Sequence, residues 1–177
     1  YHMQQVVWIE DGGEELWAPS QNYTLNNKEF TALSKFYHAN FDQPIIELYD
    51  WGVKYTKLRT REGYMIGSLM STASANAREN TCVLYELEVN IAKPKNPEKY
   101  ELRQFFGQVQ YYFYYVFCGK YQLLAYIHNV RNVQKGSYGL CNFEEFGNYE
   151  FIDVSMIRRC VGFLKLGRHS YVIDKTN

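Results

Sequence analysis

The chain has 177 residues, enough for one domain that buries most of its own surface, and it carries 17 Tyr, 11 Phe and 3 Trp. Its 19 Lys and Arg balance 19 Asp and Glu, which argues against a domain whose main task is to neutralise many phosphates. Four scattered cysteines without a CxxC pair exclude a small secreted disulfide scaffold, and no run approaches the roughly 18 apolar residues of a membrane span.

With no basic-then-apolar leader in the sequence, the chain reads as soluble and intracellular. Tyr1-His2-Met3 reads as a tag remnant, leaving one β-rich domain over 4–177. Charge is uneven: residues 1 to 50 hold eight acids and two bases, so the remainder carries the compensating positive charge. Tyr and Phe favour strands, which tilts the composition towards β.

Gln4 to Glu10 is a short β-type run closed by Asp11-Gly12-Gly13. From Asn26 the period changes to 3.6: Phe30, Leu33, Phe36 and Tyr37 share a face, and Asn26 with Glu29 has capping-box spacing, predicting a helix to about Asn40. Val53 to Thr60 and Tyr64 to Met70 flank Arg61-Glu62-Gly63 as a hairpin. Val83, Tyr85, Leu87 and Val89 alternate with Leu84, Glu86, Glu88 and Asn90 in a half-buried strand, and two prolines at 94 and 97 mark an exposed loop.

The most aromatic segment is Gly107 to Phe117, whose odd positions Val109, Tyr111, Phe113, Tyr115 and Phe117 are expected to face a core. Cys118-Gly119-Lys120 turns it into an antiparallel partner over Gln122 to Val130. Lys135 to Gly139 is a loop, and Phe151 to Val154, Cys160 to Lys165 and Ser170 to Ile173 are strand candidates. The pattern predicts a mainly β (α+β) fold: a bent antiparallel sheet or small β-barrel with one helix in the N-terminal half.

Tests for chemistry find little. A nucleophilic Cys needs a base and an orienting group, and Cys118 with His128, on the two arms of the expected hairpin, is the nearest approach; plain cross-strand packing explains both. Cys118, His128 and Cys141 lack the close pairing of zinc ligands. Glu86 and Glu88, with Asp42 or Asp50, read as a solvated strand face. No phosphate-cradling glycine motif occurs, and Asn22-Tyr23-Thr24 matches a glycosylation sequon by chance. Neither a cofactor nor a metal is implied.

Binding signals are better. Tyr112 and Tyr114 on the less apolar face of the central strand, with Tyr126 from its partner, are candidates for an aromatic surface that stacks nucleobases or boxes a methylated ammonium. The competing reading is that a second layer, such as the helix, covers them. Arg158, Arg159, Lys165, Arg168 and Lys175, interleaved with Phe163 and Tyr171, form the densest basic stretch, suited to phosphate or to a charged edge strand.

Phe106-Gly107-Gln108-Val109-Gln110-Tyr111-Tyr112-Phe113, followed by Leu124-Ala125-Tyr126-Ile127 and later by Ile152 to Val161, resembles the C-terminal regions of transposon-encoded, transposase-like proteins abundant in fungi. Tyr23-Thr24-Leu25 through Tyr37, Lys54 to Leu58, Ile66-Gly67-Ser68 and Arg78 to Val83 extend the likeness over most of residues 22 to 165. The order of strands is also similar to the bromo-adjacent homology fold, a bent barrel that serves chromatin recognition. The resemblance implies a nuclear, non-enzymatic recognition domain of a mobile-element protein that binds a chromatin or transposase partner, without membrane association. Direct DNA binding through the basic stretch and the Tyr face is the alternative, and an enzyme with a dispersed active site is the third reading.

Overall fold

The computed structural model of the chain describes residues 6–8, 13–41, 47–71 and 80–174. The proposed tag remnant, Asp42 and Lys175 lie outside them. Short β1 (Val6–Trp8) pairs antiparallel with β2 (Glu15–Thr24), and β2 pairs with β3 (Trp51–Arg59). Between β2 and β3 lies α1 (Asn27–Asn40), where the predicted helix falls. The Asn26 side chain accepts from the Glu29 amide at 2.8 Å, and the Asn26 amide donates to the Glu29 carboxylate at 2.9 Å, closing the capping box. Leu33, Phe36 and Tyr37 are buried, and the stripe is a core face.

Two-residue β4 (Met65–Ile66) returns on β3 through the expected turn, with Gly63 at φ +95°. Then come β5 (Cys82–Asn90), β6 (Tyr100–Phe117) and β7 (Lys120–Arg131). The 18-residue β6 is the spine of the sheet. Its residue Gln108 pairs with Cys82 on one edge and His128 on the other, while Phe113 pairs with Lys54 and Leu124. Strands β5 and β3 therefore share one edge of β6 and β7 takes the other, so the long strand must bend to serve both.

The remaining strands are β8 (Gln134–Lys135), β9 (Cys141–Phe143), β10 (Glu145–Asp153), β11 (Ile157–Cys160), β12 (Gly162–Leu166) and β13 (His169–Ile173). β10 pairs with β7 and β11 with β5, while β12, β13, β9 and β8 form a small antiparallel sheet of their own. The fold is mainly β with one helix. Its bent sheet does not close into a barrel, because among the described residues the second edge of β10 meets no strand.

Three cores account for the aromatic content. Inside the bend pack Leu16, Leu58, Tyr85, Tyr112, Leu123 and Ile127. On the outer face α1 covers Tyr111, Phe113, Tyr115, Leu124, Tyr126 and Phe151. Farther along, the small sheet contributes Phe143 and Val172 over Leu84 and Phe106. Around the middle of β6 and β7 the main sheet is thus buried on both sides, which is why Tyr111 to Phe117 and Leu123 to Ile127 read as near-continuous apolar runs.

The expected single odd-numbered core face of β6 needs correction. Val109 pairs with Ile127 and Tyr111 with Tyr126, so Gln110 is an extra residue in a bulge that flips the alternation. Val109 consequently faces the interior of the bend, whereas Tyr111, Phe113 and Tyr115 face the helix. None of the described helices is long and apolar enough to cross a membrane.

Candidate functional site

The three nominated tyrosines do not form one surface. Tyr112 is 0% exposed inside the bend, and Tyr126 is 5% exposed on the opposite face, beneath the helix layer. Only Tyr114 is half-exposed, and it leans on Tyr121 at 5.8 Å. The covering layer anticipated for these rings is real on the Tyr126 side, and the curvature of the sheet hides Tyr112 on the other. Cys118 sits exposed in the β6–β7 turn while His128 pairs with Gln108 near the far end of the hairpin, so the two are not neighbours.

The basic stretch also divides. Arg159 makes a bidentate pair with Asp174, with contacts of 2.6 to 3.0 Å, and Arg158 lies 3.5 Å from Glu86. Lys165 and Arg168 stand exposed on the β12–β13 hairpin.

What the fold does assemble is a strip on the outer face, between the layer formed by α1 and the layer formed by the small sheet. Strand alternation puts Tyr126 and His128 of β7 and Tyr149 and Phe146 of β10 on this face, and their rings form a column with Tyr111. Centroid separations are 5.1 Å for Tyr111–Tyr126, 5.5 Å for Tyr126–Tyr149, 4.0 Å for Tyr149–His128 and 4.7 Å for His128–Phe146. His128 and Tyr149 are half-buried, and Phe146 at the outer end is 36% exposed. Burial lowers the His128 pKa, opposed by a hydrogen bond with the Gly147 backbone and reinforced by the Lys28 charge.

The inner end of the column is anchored by a buried carboxylate. Glu29, 5% exposed, accepts from the hydroxyl of Tyr111 at 2.5 Å and of Tyr23 at 2.7 Å as well as from the Asn26 amide. Lys54 places its ammonium 3.4 Å from the Tyr23 ring centroid and 4.2 Å from that of Tyr111. Burial pulls the Lys54 pKa down, and the Glu29 charge opposes it. The Tyr23 phenol is pushed up to about 12 by burial and then by its bond to Glu29. Lys28 lies 4.0 Å over the Tyr149 ring.

Beyond Phe146 the strip opens into a pocket of about 570 Å³ between β12–β13 and the main sheet, lined by Phe143, Phe163, Gln108, Ser170 and Lys165 among others. A second cavity, a groove of about 580 Å³, follows the edge of β10 that meets no strand among the described residues. Ala32, Phe36 and Ala39 of α1 form one apolar wall, and Leu87, Leu102 and Met156 form the other. Glu150 of the groove accepts from the hydroxyl of Tyr85, which is buried inside the bend, at 2.6 Å, tying β5 to β10 where no backbone ladder joins these two described strands.

Sequence reasoning missed His128, Tyr149 and Phe146 as a group. Gly147-Asn148 has the look of a turn, yet it is the register shift within β10, and the strand resumes at Tyr149 on the same face. Among the described residues no cluster of three His, Cys, Asp or Glu side chains converges on a point where a metal ion could sit. Comparison of the chain with protein-family models, with curated proteins and with solved structures finds no match in any of the three.

Proposed function

We propose that this domain is a non-catalytic recognition module that takes up an extended segment of a protein partner by strand addition along β10. The carrying observation is the edge of β10, which meets no strand among the described residues, beside a groove with two apolar walls. An unpaired strand edge offers a row of backbone donors and acceptors that only another extended chain satisfies in full, and side-chain pockets on either side supply selectivity. Ala32 and Ala39 on α1 keep the helix wall low enough for side chains of an added strand to enter, and Lys35 and Glu88 set opposite charges on the two walls. The resemblance to transposon-encoded proteins supports a transposase or chromatin protein as the source of that segment, and hence work in the nucleus.

Selection from a random dodecamer peptide library, followed by hydrogen exchange, tests this reading. Selected peptides are expected to alternate apolar and polar residues and to slow exchange of amides within 149–153. Ala39→Arg, which fills the groove from an exposed helix position, is expected to weaken them at least tenfold without altering the fold. Peptides that bind the substituted domain equally well, or a library that yields none, count against strand addition.

A further inference from the structure

We infer that the pocket at the outer end of the ring column receives one nucleotide of a single-stranded nucleic acid, its base stacked on Phe146 and its phosphate held by Lys165. The column runs from Tyr111 through Tyr126, Tyr149 and His128 and ends on Phe146, whose neighbours Phe143 and Phe163 stand edge-on or tilted at 5.6 and 6.3 Å. A planar aromatic ligand entering here extends an existing stack, with the ring planes already set by the strands beneath. Every nucleobase offers such a face, so stacking recognises bases without reading sequence.

The lining around Phe146 is largely apolar, as the face of a base requires, and the charge it carries is positive. Among the described residues Lys165 is the one charged side chain lining the pocket and no acid lines it, while Glu144 and Glu145 beside Phe146 lie 3.4 Å from His169 and 3.9 Å from Arg131. Arg168 follows on the same exposed hairpin, at the turn into β13. Gln108 and Ser170 bring an amide and a hydroxyl to the lining, groups that can hydrogen-bond the edge of a base, and the volume of about 570 Å³ accommodates a base, a sugar and a phosphate. Duplex DNA keeps its base faces stacked inside the helix, which restricts this chemistry to single strands. The site shares no lining residue with the β10 groove, so the peptide reading and this one stand or fall separately.

The test is fluorescence anisotropy with a labelled oligo-dT of about ten nucleotides, a length within the usual site sizes of single-strand binders. Binding at low salt is expected, weaker for a duplex of equal length. Phe146→Ala is expected to weaken it about five- to a hundredfold, and Lys165→Gln to flatten the dependence of log Kd on log salt by about 0.7. Both positions are exposed, so circular dichroism of the variants should be unchanged. The inference is overturned by absence of binding at low salt, by a duplex binding as tightly, or by affinity that neither substitution alters. Thymidine monophosphate competing as well as the oligonucleotide marks a small-molecule site and equally overturns it, as does an apolar peptide in place of the strand.

Discussion

Glu29 joins three jobs in one carboxylate: it caps α1, accepts the Tyr23 and Tyr111 hydroxyls, and offsets the charge of Lys54 among the rings. A charge this buried persists only when it is fully hydrogen-bonded, because an unpaired one costs several kcal/mol. Glu29→Gln leaves the shape but gives the two phenols a weaker acceptor and Lys54 no counter-charge, and is expected to cost about 1–3 kcal/mol in urea unfolding. Glu29→Ala, which also removes the carboxylate half of the capping box while the Asn26 side chain still accepts from the residue-29 amide, should cost about 3–5 kcal/mol. Lys54→Met in the Gln background should restore part of the loss, since a neutral stem can lie between the rings without a partner; a Gln variant within about 0.5 kcal/mol of the parent would show that the carboxylate charge is irrelevant. The capping role was legible in the spacing of Asn26 and Glu29, but the ring contacts were not, because Tyr111 lies 82 residues away and only pairing across β6 brings it there.

At the scale of elements, the hairpin of β6 and β7 decides how the sheet bends, and Gly107 is its tightest point. A Cβ there would sit 2.4 Å from Cγ2 of Ile127 and 2.9 Å from the His128 backbone oxygen, both closer than atoms tolerate. The backbone oxygen cannot swing aside, so Gly107→Ala must push β7 away from β6. A loss of about 1–3 kcal/mol is expected, together with shifted amide resonances of Ile127 and His128; a variant of unchanged stability would show that the strands have slack. Most elements were legible here for physical reasons: the helix has a cap and a period, and the β6–β7 pair has turn residues between two aromatic runs. Strand β2 was not, since Pro19, Gln21 and Asn22 lack strand character and its pairing with β3 is shifted between Trp17 and Ser20. The bulge at Gln110 was equally hidden, and with it the division of the tyrosines between two faces, because a bulge is visible only in the register of the partner strand. The candidate site inherits that blindness: its column depends on two register shifts, at Gln110 and at Gly147-Asn148, that leave no mark in periodicity.

For the whole molecule, the consequence of burying both faces of a tyrosine-rich sheet is a stability that depends on keeping phenols protonated. Burial drives the pKa values of Tyr85, Tyr111 and Tyr112 well above the ordinary 10.0, and Glu150 and Glu29 raise the first two further. A group whose folded pKa is raised binds its proton more tightly in the folded chain, so its contribution is fully present below pH 10 and is lost as the pH climbs towards the folded value. Above pH 10 the unfolded chain ionises these phenols and the folded one does not, and three of them remove at most about 4 kcal/mol per pH unit. A typical domain has only about 5–15 kcal/mol in hand, so the fold is expected to collapse between about one and four pH units above 10. Tyrosinate absorbance and far-ultraviolet circular dichroism, followed together, check this. The buried phenols should ionise only in the same steep transition in which the strand signal disappears, and slowly enough to be timed after a pH jump. Ionisation of all 17 tyrosines along one shallow curve centred near pH 10, with the strand signal intact, would mean that solvent reaches the inside of the bend.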